Sequence, residues 1–349
     1  MKTALVLAGG GSRGAYELGV WSALSRLGIH PDIVTGTSIG SMNATLVAAD
    51  QYEAARRLWL TLSTDEIFDY KHAIENKGVK FTGVREIMDE AIDEDYVRNS
   101  PVELGIVTVE FPNMKPLYLW KEDIPKGKLL DYVFASCACF PVVAPVEIDG
   151  KSYVDGGYAD NVPIGMALEK NPDRLIVVDL DSFGVRHKED FKEAEDKMIF
   201  IKCAWDLGNM AVFSPAHAEM LRQLGFLDTL KAFGVFAGEK YTFMRGQIPA
   251  KNLKIYEMAA ELAGMDKTVI YSKDSFAQKL EEAIERNALK TEKVIDKFDL
   301  LDLATIEDYD KIRKKVAADL SKAVAKIDSK VNLQLDSDLR VLLDKLLLK

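Results

Sequence analysis

Ser38 stands between two glycines, in the segment Gly36-Thr37-Ser38-Ile39-Gly40, where a short β-type run ends and a helical run begins. A serine on a sharp strand-to-helix turn projects out of the backbone, and the flanking glycines let neighbouring chain approach closely. This arrangement presents a hydroxyl oxygen to a carbonyl carbon, so it indicates a nucleophile for acyl transfer. The plain alternative for a serine at such a position is a helix N-cap.

A glycine-rich loop follows the first apolar run of the chain and precedes a helical pattern. Its six residues are Gly9, Gly10, Gly11, Ser12, Arg13 and Gly14. Consecutive glycines expose backbone N–H groups, and the helix start adds the positive end of its dipole. Such a loop binds an anion, either a phosphate or the oxyanion of a tetrahedral intermediate.

The glycine spacing in this loop also matches a dinucleotide-binding loop, which is a weak pattern on its own. That function requires an acidic residue at the end of the second strand. Asp32 begins the strand instead of ending it, and the Ser38 turn occupies the strand's end. The sequence therefore favours the oxyanion interpretation over the dinucleotide one.

Asp155 follows a short apolar strand pattern and precedes Gly156-Gly157. This pattern predicts that its carboxylate lies on a tight loop. A turn aspartate is the alternative. An aspartate is a weak base at neutral pH unless its surroundings raise its pKa, and histidine is the commoner base. His187 and His217 are the two histidines that follow Asp155, so a histidine-based triad stays open as a second interpretation.

Strand patterns alternate with helical ones along the first half of the chain. The apolar runs at 4–8, 32–36, 103–109 and 175–180 predict strands. This alternation is typical of an α/β fold with a mostly parallel sheet. We expect a three-layer α/β/α sandwich, with Ser38 and the glycine loop at the carboxyl ends of strands.

Changes in composition and in apolar pattern along the chain predict three segments. Residues 1–182 form the α/β domain, residues 183–265 are a mostly helical continuation packed on it, and residues 266–349 are a charged, amphipathic helical extension. In the extension, apolar residues recur at three- and four-residue steps from Ile312 to Leu339. This stripe either packs on the body or self-associates, or else it faces a partner or lipid.

Composition limits the function classes. With 45 Lys and Arg against 55 Asp and Glu, the net charge is −10, which argues against nucleic acid as a partner. Three cysteines without metal-ligand spacing indicate a reduced, intracellular compartment. No apolar run is long enough to cross a bilayer, and the N-terminal one is too short for a signal peptide. We expect a soluble, cytoplasmic protein, with peripheral membrane contact left open.

Together the motifs resemble the patatin-like phospholipase family, over about residues 1–182. In chain order, the matching segments are 9–15 (Gly-Gly-Gly-Ser-Arg-Gly-Ala), 36–40 (Gly-Thr-Ser-Ile-Gly), 135–141 (Ala-Ser-Cys-Ala-Cys-Phe-Pro) with Pro145, 155–157 (Asp-Gly-Gly) and 161–163 (Asn-Val-Pro). Their joint order is far more specific than any one of them.

The resemblance implies a serine–aspartate dyad that acts on lipid esters. Ser38 would attack the ester carbonyl, and Asp155 would take its proton and return it to the leaving alcohol. The amides of Gly10, Gly11 and Ser12 would stabilise the oxyanion, while Arg13 would steady the loop. Covalent catalysis and backbone donors suffice for this reaction, so we expect no metal or organic cofactor.

Two other functions stay open beside hydrolysis. An acyl-serine intermediate also serves an acyltransferase, which passes the acyl group to an alcohol or thiol instead of water. A fold of this kind also serves as a non-catalytic lipid-binding module. Turnover of simple esters separates the module from the enzymes, and product analysis with added acceptors separates transferase from hydrolase.

Overall fold

The computed structural model describes residues 1–70, 73–280, 282–283 and 286. The chain divides into two compact units, Met1–Val235 and Phe236–Lys349. All the motifs that could do chemistry lie in the first unit. The predicted domain boundaries at 182 and 265 stay predictions, and the predicted stripe from Ile312 to Leu339 lies outside the described residues.

The first unit contains ten strands and ten α-helices among its described residues. The strands are β1 (Thr3–Leu7), β2 (Ile33–Thr37), β3 (Phe68–Asp69), β4 (Lys80–Phe81), β5 (Glu103–Phe111), β6 (Lys115–Trp120), β7 (Val146–Ile148), β8 (Lys151–Asp155), β9 (Arg174–Asp179) and β10 (Met198–Lys202). The helices are α1 (Ala15–Arg26), α2 (Ile39–Ala48), α3 (Tyr52–Thr61), α4 (Thr64–Ile67), α5 (Gly83–Ala91), α6 (Glu94–Asn99), α7 (Leu129–Ser136), α8 (Ile164–Glu169), α9 (Lys188–Ala194) and α10 (Pro215–Ala232).

The second unit contains a small sheet and one long helix in its described part. Its strands are β11 (Phe236–Ala237), β12 (Thr242–Met244) and β13 (Ile270–Tyr271), in the order β11-β12-β13. Its helix α11 spans Ala250–Leu262, and residues 273–280 are also helical. Aromatic rings form the core of this unit, where Phe243 and Phe276 are both fully buried.

Eight strands of the first unit form one sheet in the order β10-β9-β1-β2-β5-β8-β7, with β6 also paired to β5. The strands from β10 to β5 pair in parallel, whereas β6, β7 and β8 pair antiparallel. Every residue of β1 is buried, as expected for a parallel strand that is covered on both faces. The predicted α/β class with a mostly parallel sheet is confirmed.

Two neighbouring residues of β2 show that helices cover both faces of the sheet. The Thr35 hydroxyl donates to the carbonyl of Pro163, the residue before α8, at 3.0 Å. A Cβ on Gly36 would lie 2.2 Å from the carbonyl oxygen of Gly40 in α2. Because successive strand residues point to opposite faces, α8 and α2 lie on opposite sides. The predicted three-layer α/β/α arrangement is confirmed.

The central strand β5 sets the ends of β2 and β8 against each other. Strand β6 pairs along one edge of β5, from Gly105 to Glu110. Along the other edge, β2 ends with Thr37 opposite Val107, and β8 ends with Asp155 opposite Thr108. Since β2 runs parallel to β5 and β8 runs antiparallel, the two strands meet end to end. The residue after β2, which is Ser38, therefore comes close to Asp155.

The structure contains strands that the sequence patterns do not indicate. Strand β10 lies in the segment predicted to be mostly helical, and it pairs in parallel with β9 at the edge of the sheet. Its five residues are too few to show a period within a charged stretch.

Within the described residues, no helix is both long and apolar enough to span a membrane. The cytoplasmic location stays a prediction.

Candidate active site

Ser38 lies in a strained turn between β2 and α2. Its φ is 53° and its ψ is −128°, and residues other than glycine rarely adopt a positive φ. The two flanking glycines are required by close backbone approach, because a Cβ on Gly40 would lie 2.3 Å from the carbonyl oxygen of Leu7 and one on Gly36 would clash with α2. Strain of this kind is typical of functional sites, where surrounding packing maintains it.

Ser38 and Asp155 are joined by a short hydrogen bond, although 117 positions separate them in the chain. The Ser38 hydroxyl donates to Asp155 Oδ2 at 2.6 Å. The other carboxylate oxygen, Oδ1, accepts the backbone N–H of Gly157 at 2.7 Å. The two glycines after Asp155 thus shape a tight turn that holds the carboxylate toward the serine.

Burial raises the pKa of Asp155 to about 6, against hydrogen bonds from Ser38 and Gly157 that lower it. Only 7% of this residue is exposed, so water solvates the charged form poorly. A carboxylate with this pKa is a stronger base than an ordinary aspartate, yet it remains ionised at neutral pH. This combination suits a general base.

The end of α7 supports both members of the pair. The fully buried Ser136 hydroxyl accepts the backbone N–H of Ser38 at 2.8 Å and donates to the carbonyl of Val107 at 2.6 Å. The carbonyl of Ala138 accepts the backbone N–H of Asp155 at 3.0 Å. Sequence reasoning gives Ser136 no role. The small-residue segment 135–141 is the signal that could have located it.

The glycine loop lies against Ser38, since a Cβ on Gly9 would be 3.1 Å from Ser38 Cβ. The backbone N–H of Ser12 donates to the carbonyl of Met210 at 2.8 Å, and that of Arg13 donates to Gly10 at 3.2 Å. Within the described part of the chain, the N–H groups of Gly10 and Gly11 have no acceptor. Of the three predicted oxyanion donors, Gly10 and Gly11 therefore keep amides that are free among the described residues, whereas the amide of Ser12 is already bonded to Met210.

Arg13 anchors the loop through carbonyl groups. Its Nη1 donates to the carbonyl of Leu180 at 3.1 Å and to that of Asp181 at 2.5 Å. Its Nε and Nη2 donate to the carbonyl of Gly208 at 2.9 and 2.7 Å. Because the guanidinium is planar and rigid, it fixes two distant segments against the loop. The position of Gly208 could not be predicted from local sequence.

Both candidate histidines form hydrogen bonds with backbone carbonyl groups. His187 Nε2 lies 3.0 Å from the carbonyl oxygen of Ala159, and His217 Nε2 lies 2.9 Å from that of Leu207. Among the described residues, neither ring hydrogen-bonds to Ser38 or Asp155. The geometry brings serine and carboxylate together directly, without an imidazole between them.

Comparisons with known proteins find a family match over the part of the chain that contains Ser38 and Asp155. Residues 5–168 match the family model described as Patatin-like phospholipase. Lysophospholipase NTE1 of Candida albicans is 30% identical over 244 residues, which cover 65% of this chain and 16% of that protein. Lysophospholipase NTE1 of Meyerozyma guilliermondii is 32% identical over 194 residues, which cover 51% of this chain and 12% of that protein. This chain therefore spans less than a fifth of the length of these curated relatives.

Among solved structures, VipD from Legionella pneumophila aligns with a TM-score of 0.47 and 15% sequence identity. The alignment covers 91% of this chain and 80% of that chain.

Proposed function

We propose that this chain, whose residues 5–168 match the patatin-like phospholipase family model, hydrolyses carboxylic esters of lipids through an acyl-serine intermediate. The observation that carries the proposal is the 2.6 Å hydrogen bond between Ser38 Oγ and Asp155 Oδ2. The glycine loop contacts Ser38 at Gly9, and the next two amides, those of Gly10 and Gly11, have no acceptor among the described residues, which supports the same reaction. Nucleophile, base and oxyanion donors are the parts that acyl transfer needs.

In the first step, Ser38 Oγ forms a bond to the ester carbonyl carbon while its proton moves to Asp155 Oδ2. The carbonyl oxygen becomes an oxyanion, which accepts hydrogen bonds from the amides of Gly10 and Gly11. When the tetrahedral intermediate collapses, the bond to the alcohol oxygen breaks and Asp155 returns the proton to that oxygen. The alcohol leaves, and the acyl group remains on Ser38.

In the second step, water attacks the acyl-serine. Asp155 takes a proton from the water, the new oxyanion occupies the same donors, and collapse breaks the bond to Ser38. The proton then returns to Ser38 Oγ, and the fatty acid leaves. The raised pKa of Asp155 supports both transfers, since a base with a pKa of about 6 accepts a proton more readily than an ordinary aspartate.

We assign lysophospholipids as the substrate class, on the names of the two fungal relatives that match the domain. Such lipids lie in membranes, so the mouth of the site must meet a lipid surface. Phe183 is suited to that contact because it is 90% exposed. Its neighbour Ser182 donates to the carbonyl of Gly9, and its neighbour Gly184 packs on Asn161, so the backbone at Phe183 lies next to the glycine loop.

The test is hydrolysis of lysophosphatidylcholine and of p-nitrophenyl butyrate by the purified chain, by Ser38→Ala and by Ser25→Ala. Ser25 is an exposed serine on α1 and provides the matched control. We expect Ser38→Ala to lose at least ~10³-fold in turnover, as serine removal does in other serine hydrolases, while Ser25→Ala keeps full turnover. Activity of Ser38→Ala within threefold of the unmodified chain would reject the proposal, and acyl transfer to added glycerol would redirect it to a transferase.

A further inference from the structure

Asn161 binds both backbone polar groups of Gly9, the first residue of the glycine loop. The Gly9 N–H donates to the backbone carbonyl of Asn161 at 3.1 Å, and the side-chain Nδ2 of Asn161 donates to the backbone carbonyl of Gly9 at 3.4 Å. The same Nδ2 donates to Ser182 Oγ at 2.9 Å, and that hydroxyl in turn donates to the Gly9 carbonyl. Asn161 is 2% exposed, so these bonds are shielded from water.

The Asn161 side chain also explains three glycines that lie far apart in sequence. A Cβ on Gly9 would lie 2.3 Å from Asn161 Oδ1, one on Gly157 would lie 2.9 Å from it, and one on Gly184 would lie 3.0 Å from it. Three chain segments thus converge on one amide group, and each has a glycine at the point of contact. A side chain at any of these positions would displace the amide.

Two of these segments carry the proposed machinery. Gly9 leads directly into Gly10 and Gly11, the proposed oxyanion donors. Gly157 donates its N–H to Asp155 Oδ1 at 2.7 Å and so orients the proposed base. Asn161 is therefore the structural link between the oxyanion donors and the acid–base group.

We propose that Asn161 is a positioning residue that holds the glycine loop in place relative to the Ser38–Asp155 pair. The inference rests on the proposed function and deepens it. Asn161 touches neither the nucleophile nor the base by a hydrogen bond, so it acts through Gly9 and Gly157. A displacement of about 1 Å in an oxyanion donor is enough to slow acyl transfer by about 10²-fold.

The first test is Asn161→Ala, assayed with p-nitrophenyl butyrate and with a fluorophosphonate probe that forms a tetrahedral adduct on serine. We expect kcat to fall by about 10- to 10²-fold with KM within threefold, because the loss concerns donors that bind tightly only in the transition state. The rate of labelling by the probe should fall by the same factor. The acid limb of the pH profile should stay in place, because the burial of Asp155 is unchanged.

The matched control is Lys121→Met, which also removes a buried hydrogen-bonding group. Lys121 is 4% exposed, and its ammonium donates to the carbonyls of Val97, Ser100 and Val102, none of which belongs to the site. We expect this variant to lower Tm with kcat unchanged. If Asn161→Ala does not fold, Ser182→Ala replaces it, with an expected loss in kcat of about threefold to tenfold, since one donor to Gly9 is removed.

The results separate this inference from the proposed function. Turnover and labelling of the unmodified chain, together with slow labelling of Asn161→Ala, support the positioning role. If the unmodified chain turns over and Asn161→Ala keeps kcat within threefold, the positioning role is wrong and the proposed function stands. An equal fall in kcat for Lys121→Met would also reject the role, since any buried polar loss would then suffice. An unmodified chain without turnover or labelling overturns both.

Discussion

Replacing Asp155 by asparagine should stabilise the fold and at the same time remove activity. The carboxylate is 7% exposed, and burial is the main reason that its pKa rises from 3.8 to about 6. Asparagine has nearly the same shape, carries no charge, and can keep one bond to the Gly157 amide and one to the Ser38 hydroxyl. The substitution therefore removes a desolvated charge with little change in packing.

The size of the effect follows from proton linkage. A pKa raised in the folded state means that the native protein binds more protons than the unfolded chain between about pH 4 and pH 6, so stability falls as pH rises through that window. One pKa unit corresponds to about 1.4 kcal/mol, so the interval from 3.8 to about 6 corresponds to about 3 kcal/mol. Asp155→Asn should gain about 3 kcal/mol in unfolding free energy at about pH 7.5, and about 1 kcal/mol at about pH 4.5.

Urea unfolding of both proteins at these two pH values measures the difference. Turnover of p-nitrophenyl butyrate by Asp155→Asn should meanwhile fall by ~10²–10⁴-fold, since the general base is lost. An unfolding free-energy difference that is equal at the two pH values would refute the reasoning, because the carboxylate would then have an ordinary pKa in the fold. A gain in stability with full turnover would show that Asp155 is not the base.

Other consequences are testable with the same assays. In the unmodified chain, kcat/KM should fall tenfold for each pH unit below about 6, because protonated Asp155 cannot accept the serine proton; a flat profile from about pH 4 to 8 would contradict this. Phe183→Ser should raise KM for lysophosphatidylcholine in vesicles at least ~5-fold, since an exposed ring that enters lipid contributes a few kcal/mol. Turnover of p-nitrophenyl butyrate should stay unchanged. If Phe183→Ser and the unmodified chain have equal KM on vesicles, Phe183 is not part of the lipid contact. His187→Gln and His217→Gln should each keep kcat within threefold, since their rings bind the carbonyls of Ala159 and Leu207; a loss above ~10²-fold would favour a histidine base.

The fold class was predictable because parallel strands that are covered on both faces must be apolar throughout. The run Leu175-Ile176-Val177-Val178 and the run at 4–8 carry that signature, and both form neighbouring central strands. The Ser38 turn was predictable for a related reason. Only glycine fits at positions 36 and 40, because a Cβ there would lie 2.2 and 2.3 Å, respectively, from a backbone carbonyl oxygen.

Contacts that depend on register were not predictable. Ser38 and Asp155 meet because β2 and β8 share one edge of β5 and end at Val107 and Thr108. No local pattern encodes that junction. The supporting groups, Ser136 and Asn161, lie in the motif segments 135–141 and 161–163, but the groups that they contact are set by tertiary folding.

The most direct test of the central claim is the site of covalent modification by a fluorophosphonate probe. The unmodified chain should gain one adduct per molecule, and peptide mapping by mass spectrometry should place it on Ser38. Labelling should slow below about pH 6, as Asp155 takes up its proton. An adduct on a different residue, or an unmodified Ser38 under conditions that label a control esterase, would contradict the claim that Ser38 is the nucleophile.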